Sequence, residues 1–441
     1  MGMAGAIRPV KFIKYFPRYD WHPVVITSTP KTYYAKDEYL LEEIDLPEVE
    51  IYRTKGRKRS LLTDHKLKNL PNESRRQLWC RYRRLTKVPD TYIKWRKKAL
   101  KLASGIIESQ KIDIIFATAP PFTDLVIAAE LKKKYNIPLV IDYRDSWLYS
   151  PENFYPASFY RFANMKKEQE VLRVADETIT VNRRIKEYII ETYSSIKHTD
   201  INIIPHSFDD EEFKNASYQL PRTNKMRFTH AGSFYGSEKP KYFLKGLSLA
   251  FKRRPELSSK IEACFLGLLS KEDKKRVIKY NLIESVYAPG YVNHKECVKY
   301  LLSSDVLWFT IGKGSGDELI TPVKLSEYFG ARKPILACIT DGVSKQMLRN
   351  YNAVKICPPD EPEAIANMII EYYDLYAKNS MPEPNEEVIR KYDINTLTHE
   401  LVRYFEFLID ISPETRIIRQ KGSKEISGDG EEAGSHSLKE E

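Results

Sequence analysis

At 441 residues, with 42% apolar and 12% aromatic residues, the chain is long enough for two domains, each with its own core. No apolar run approaches the roughly 18 to 20 residues of a membrane-spanning helix, and the N-terminus MGMAGAIRPVKF lacks the long apolar stretch of a secretory signal, so a cytosolic protein is expected. The net charge of +11 is uneven: from Arg53 to Lys101 eighteen Lys and Arg stand against three acids, a local +15 that marks a surface facing something anionic.

In chain order, strand patterns fall at HPVVITS (22–28), VEIYRT (49–54), IDIIFATA (112–119), IPLVIDY (137–143), ETITV (177–181) and INIIPHS (201–207). Helical patterns such as TDLVIAAELKKKY (123–135) and FANMKKEQEVLRVA (162–175) lie between them, with apolar residues recurring at three and four. The same alternation restarts after a polar linker at 218–225. MRFTHAG (226–232) runs into a glycine turn, then come a helix near 241–251, IEACFLG (261–267), VYAPGYV (286–292), HKECVKYLLSS (294–304), VLWFTIG (306–312), TPVKLSEYFGARKPILA (321–337) and NAVKICP (352–358). The closing helices are predicted at 361–377 and 394–410. Alternating strands and helices predict parallel sheets covered on both faces, hence two doubly wound α/β domains with a site at the carboxyl ends of the strands.

The five cysteines, Cys80, Cys264, Cys297, Cys338 and Cys357, are scattered and never spaced as CxxC, and no HExxH pair occurs. Neither a disulfide framework nor a protein-held metal is expected. The tail 412–441 is too polar to bury a core and is expected to be disordered.

Three charged clusters stand where strands end. IDYRDSW carries Asp142, Arg144 and Asp145 after a buried strand, where charge is costly unless it pairs or serves a ligand. HAGSFYGSEKP carries Gly232, Ser233 and Lys239 at a strand end, where a missing side chain lets backbone amides approach a phosphate. TPVKLSEYFG carries Thr321, Lys324 and Glu327, preceded by Asp317 and Glu318. Each has a plainer reading as well: a structural Arg–Asp pair, an ordinary turn glycine, and a solvated or capping helix acid with Lys324 its neighbour.

Together, in this order, ATAPPFTDLVIAAELKKKYNIPLVIDYRDSW, HAGSFYGSEKP and TPVKLSEYFGARKPIL resemble the motifs of family-four glycosyltransferases of the surface-polysaccharide type, up to about Ile411. The resemblance implies the GT-B fold, two Rossmann-like domains facing across a cleft. It implies an N-terminal acceptor-binding domain over 1–217, a nucleotide-sugar-binding domain over 218–385, and a closing helix at 386–411 that crosses back to the N-terminal domain. It further implies a hexosyltransferase that uses a nucleoside diphosphate sugar as donor, retains configuration and needs no cofactor.

Glu327 matches the family's second motif glutamate and would accept hydrogen bonds from the donor ribose. Gly232, Ser233, Lys239, Thr321 and Lys324 would surround the diphosphate. Asp317 and Glu318 stand near Leu319, where the family carries its first glutamate, and are candidates for the donor sugar. Asp142, Arg144 and Asp145 are candidates for catalysis. No candidate nucleophile with an adjacent base stands out, and the resemblance implies that the donor phosphate itself accepts the acceptor's proton.

The segment 75–104 mixes Arg75, Arg76, Arg83 and Arg84 with Trp79 and Trp95, a composition suited to an anionic membrane surface and hence to a polyprenyl-linked glycan acceptor on the inner face of the plasma membrane. A solvated helix with core tryptophans is the plainer reading. In relatives a strand and a glycine turn precede the segment that begins here, and only Gly2 to Gly5 of that turn is present. A form with about ten to fifteen more residues, supplying a central strand, is expected to be the more stable. Two other functions stay open: a polyanion-binding protein using 53–101, although no nucleic-acid motif supports one, and a family member that binds nucleotide without transferring sugar.

Overall fold

Every strand pattern read from the sequence becomes a strand in the computed structural model, which describes residues 4–29, 37–54, 87–149, 158–216, 223–234, 238–314 and 316–410. The strands are β1 (Val24–Ser28), β2 (Glu50–Thr54), β3 (Ile115–Ala119), β4 (Leu139–Tyr143), β5 (Glu177–Thr180), β6 (Ile201–Ile203), β7 (Met226–Ala231), β8 (Ile261–Leu266), β9 (Val286–Gly290), β10 (Val306–Thr310), β11 (Ile335–Cys338) and β12 (Val354–Cys357). The helices used below are α1 (Ile7–Tyr15), α2 (Thr123–Tyr135), α3 (Ser158–Val174), α4 (Asp210–Asn215), α5 (Lys241–Arg253), α6 (His294–Leu302), α7 (Val323–Ala331) and α8 (Pro362–Ala377).

The chain divides into two compact units. One comprises the described residues of Met1–Thr86, Tyr149–Phe154 and Pro205–His399, the other those of Lys87–Leu148, Tyr155–Ile204 and Glu400–Glu441. Where the motifs place a divide near residue 217, the structure groups α1, β1 and β2, and everything from Pro205 to His399, in one unit.

In the first unit a six-stranded parallel sheet runs β12-β11-β10-β7-β8-β9. The strand order reverses between β7 and β10, the switch point at which a doubly wound sheet opens a crevice. Both faces are buried, and the period of two sorts the side chains. Val306 and Trp308 of β10 enter one core with α5 and α8, while Leu307 and Phe309 enter the other with α6 and α7. β1 and β2 form a separate parallel pair. α1 begins IRP, with its proline in the first turn where a missing amide costs nothing, and buries Val10, Lys11, Phe12 and Tyr15.

The second unit holds the parallel sheet β3-β4-β5-β6. β4, LVIDY, is buried at every position. On α3, Glu168 is buried and accepts a hydrogen bond from the Tyr193 hydroxyl at 2.9 Å. Burial pushes its carboxyl up to about 8, against the lowering effect of its tyrosine partners. Between about pH 4.5 and 8 the folded chain therefore holds a proton that the unfolded chain has released, and stability falls as pH rises through that window. Glu168→Gln removes this dependence. Its stability advantage over the wild type is expected to be below about 1 kcal/mol at pH 5 and roughly 4 kcal/mol at pH 8, and parallel urea titrations at the two pH values check it.

Among the described residues no helix is long and apolar enough to cross a membrane.

Candidate functional site

β7 ends at Gly232, whose φ of +103° favours glycine. A β-carbon there would lie 3.9 Å from the Lys324 ammonium, so the lysine of α7 stands over the turn at the switch point. The amide of Gly232 donates to the Leu266 carbonyl at 2.7 Å, and the Ser233 hydroxyl accepts from the Leu268 amide at 3.2 Å. The turn approaches Gly267 closely, and the Gly232 amide itself is used within the fold. Lys324 is not paired with Glu327 but with Glu238, at 3.0 Å. Thr321 is buried just before α7, and Lys239 is exposed.

One turn further along α7, Glu327 points away from solvent, with 7% of its surface exposed. This excludes the solvated-face reading of the acid. Its helix is fixed from below: the Ser326 hydroxyl donates to the His206 carbonyl at 2.9 Å, and Gly330 leaves room for Phe208 and Phe213 to pack against the backbone. That packing brings α4 alongside, and with it Glu212. From α6 comes His294, held by donation of its own amide to Asp37 Oδ2 at 2.7 Å. Its Nε2 lies 3.1 Å from Glu212 Oε2, and its Nδ1 lies 3.4 Å from Glu327 Oε1. Glu327 Oε1 is buried without a hydrogen-bond partner among the described residues.

These groups shift one another. Burial pushes the Glu327 carboxyl up, His294 opposes that, and Glu212 adds to it. For His294 burial acts downward, but Glu212 and then Glu327 outweigh it and raise the imidazole to about 9. Glu212 is held well below the usual carboxylate range: burial alone would raise it, and His294 and Lys11 overcome that effect.

The far side of Glu212 faces α1. The Lys11 ammonium is buried between Glu43 at 2.5 Å, Glu212 at 2.7 Å and Asp209 at 3.3 Å. Oxygens of these three acids lie within 4.8 Å of one another, a spacing that could hold a metal ion. Lys11 supplies the cation at their centre instead. Asp209 also receives Lys14 at 2.6 Å and the Tyr15 hydroxyl at 2.7 Å. Lys11, Asp209, Glu212, His294 and Glu327 line one narrow pocket with no room for a water molecule.

Sequence reasoning missed Lys11, Glu212 and His294.

Asp142, Arg144 and Asp145 belong to the second unit. Asp142 is wholly buried on β4, where its Oδ2 accepts from Thr118 Oγ1 of β3 at 2.7 Å. Arg144 spends its guanidinium on the carbonyls of Ala119 and Pro120. Both residues thus make structural contacts, Asp142 with the neighbouring strand and Arg144 with the turn after β3. Asp145 is exposed in the same unit. Near it, Asp124 at the start of α2 has a buried Oδ1 without a hydrogen-bond partner among the described residues. Burial, then Asp90, push its carboxyl up to about 8, against Arg144.

Asp317 folds back to accept from the Gly314 amide at 2.7 Å, and Glu318 is half-buried beside Gly342. Leu319 is buried. Gly5 lies in a single helical turn, Ala4–Ala6, and Trp95 is half-buried just before a helix that starts at Arg96. Gly2, Arg75, Arg76, Trp79, Arg83 and Arg84, and the tail from 411 on, lie outside the described residues.

Residues 14–212 match the family model of Glycosyltransferase Family 4. The chain carries a family-four glycosyltransferase domain. Solved structures of this GT-B kind superpose on nearly its whole length. A glycosyltransferase from Rickettsia africae is 14% identical, with 93% of this chain and 96% of that one covered and a TM-score of 0.61. Anabaena HepE in complex with UDP is 15% identical, over 92% and 96%, with a TM-score of 0.56. Sucrose-phosphate synthase from Thermosynechococcus elongatus is 14% identical, over 91% and 92%, with a TM-score of 0.60. No curated protein sequence matches the chain. This glycosyltransferase thus shares its fold with these structures at low identity.

Proposed function

We propose that the protein transfers a hexosyl group from a nucleoside diphosphate sugar to a polysaccharide or lipid-linked glycan, with retention of configuration. The observation that carries this is the placement of Glu327: an acid buried one turn along α7, with an oxygen that faces His294 at 3.4 Å but has no hydrogen-bond partner among the described residues, on the helix whose Lys324 stands over the glycine turn at the switch point. A buried acceptor of this kind is costly without a ligand, and a ribose diol offers two O–H donors to it. UDP in the HepE structure supports a nucleotide of this class.

Lys324 would exchange Glu238 for the donor diphosphate, and its charge would stabilise the departing nucleotide as the sugar becomes oxocarbenium-like. Lys239 and Ser233, at the same turn, would add to the diphosphate site. Because the pocket at Glu327 is closed, the nucleotide would have to part α1 from α7, as in enzymes whose sites assemble on binding. The +15 segment supports an anionic membrane surface on the cytoplasmic side as the place where a lipid-linked acceptor is met.

Thermal unfolding with UDP, GDP, ADP and their sugars tests the reading. A nucleotide at 100 times its dissociation constant is expected to stabilise by about 2.7 kcal/mol. No shift with any of them contradicts the proposal and favours polyanion binding through 53–101.

A further inference from the structure

We propose that His294 is a positioning residue that keeps Glu327 ionised and aimed for a ribose diol; this rests on the donor-binding reading of Glu327. The imidazole lies between two carboxylates, 3.1 Å from Glu212 at Nε2 and 3.4 Å from Glu327 at Nδ1. A neutral imidazole has one N–H to give, so a ring that faces an acceptor oxygen at each nitrogen is satisfied as an imidazolium. The ring is held in place by its backbone, through the Asp37 carboxylate at its own amide and the Asn293 cap of α6.

The charged groups acting on the ring are Glu212 from α4, Glu327 from α7 and Lys11 from α1; Asp37 takes its backbone amide, and Glu327 is acted on in addition by Lys324 of its own helix and lies near Cys297 of α6. Lys11 is committed to Glu43, Asp209 and Glu212, and Lys324 to Glu238. Among the described residues His294 is therefore the cation that most directly balances Glu327. Without it, an acid buried beside Glu212 takes up a proton. A protonated carboxyl becomes a donor and loses the capacity to accept from both ribose hydroxyls.

The test uses the full chain and isothermal calorimetry with UDP, GDP and ADP, each against its 2′,3′-dideoxy counterpart. For the tightest nucleotide the wild type is expected to prefer the ribose form by about tenfold or more, and Glu327→Ala to lose that preference. His294→Gln should lose most of it at pH 6.5 and regain it as pH rises toward 9 and Glu327 ionises unaided. His294→Lys, which restores a cation, should keep it throughout. A purely structural histidine would not link ribose discrimination to pH.

If Glu327→Ala loses the preference while His294→Gln keeps it at pH 6.5, the role of His294 is overturned and the site reading stands. If Glu327→Ala keeps it, or no nucleotide binds, both fall. Should His294→Gln fail to fold, 15N spectra of the wild-type histidines, assigned with His294→Lys, decide: both ring nitrogens of His294 protonated at pH 7.5 supports the proposal, and a neutral ring overturns it.

Discussion

Replacing Lys11 by methionine is expected to cost the fold about 3–5 kcal/mol at pH 7.5, the range found when one partner of a buried ion pair is removed. Methionine keeps most of the volume of the lysine stem, so the loss isolates the charge. Behind it remain Glu43, Asp209 and Glu212, three acids that meet at one ammonium. Burial alone would lower the Lys11 pKa, but the pull of Glu212, Glu43 and Asp209 raises it above the ordinary lysine value, so the cation persists across the physiological range.

Glu43 behaves oppositely. Burial lifts it to about 7 although Lys11 pulls it down, so it is the first of the three to accept a proton when the lysine is gone. The deficit of Lys11→Met should accordingly shrink as pH is lowered, and Glu43→Gln in the same chain should recover part of it. Chemical denaturation of the three variants at pH 5.5 and 7.5 checks this. A deficit below about 1 kcal/mol at pH 7.5 would mean that Lys11 is a surface charge in solution and that α1 is not packed on α4.

The second large effect concerns Glu327, where stability and function are expected to separate. Glu327→Ala should weaken nucleotide binding about 10- to 100-fold, the scale of hydrogen bonds to a charged group. Glu327→Gln should weaken it as well, yet leave the ligand-free protein as stable as the wild type or more so. The reason is local: the carboxyl is buried, is pushed up by burial and by Glu212, and has an oxygen without a hydrogen-bond partner among the described residues. Residues that cost stability in the empty protein are expected where a ligand supplies the missing contacts. Calorimetric titration gives the affinity and thermal unfolding the stability. A Gln variant that melts well below the wild type would show that the acid holds the fold together rather than the ligand.

The strands were legible because their buried runs are short, rich in Val and Ile, and bounded by turns, and the order of motifs carried the doubly wound topology with them. Glu327 was legible as an acid out of place in an apolar helix. Its surroundings were not. Lys11, Glu212 and His294 meet from α1, α4 and α6, and nothing in the local pattern of IRPVKFIKY or HKECVKYLL distinguishes a lysine or histidine aimed into the core from one in solvent. The contacts of Asp142 and Arg144 were hidden for a related reason. A charged residue after a buried strand signals that a partner exists, and only the register Thr118 to Asp142 shows that the partner is a neighbouring strand. The division into units likewise depends on α1 burying its charges against α4, a contact between residues nearly 200 positions apart.

The central claim, that this is a sugar transferase whose donor is held through Glu327, is tested most directly by incubating the full-length protein and Glu327→Ala with UDP-, GDP- and ADP-sugars and measuring released nucleoside diphosphate. The wild type is expected to release nucleotide from one donor class, by slow hydrolysis alone or faster with an acceptor, and the variant to lose most of that rate. Release of none by the wild type, or equal release by both proteins, would contradict it.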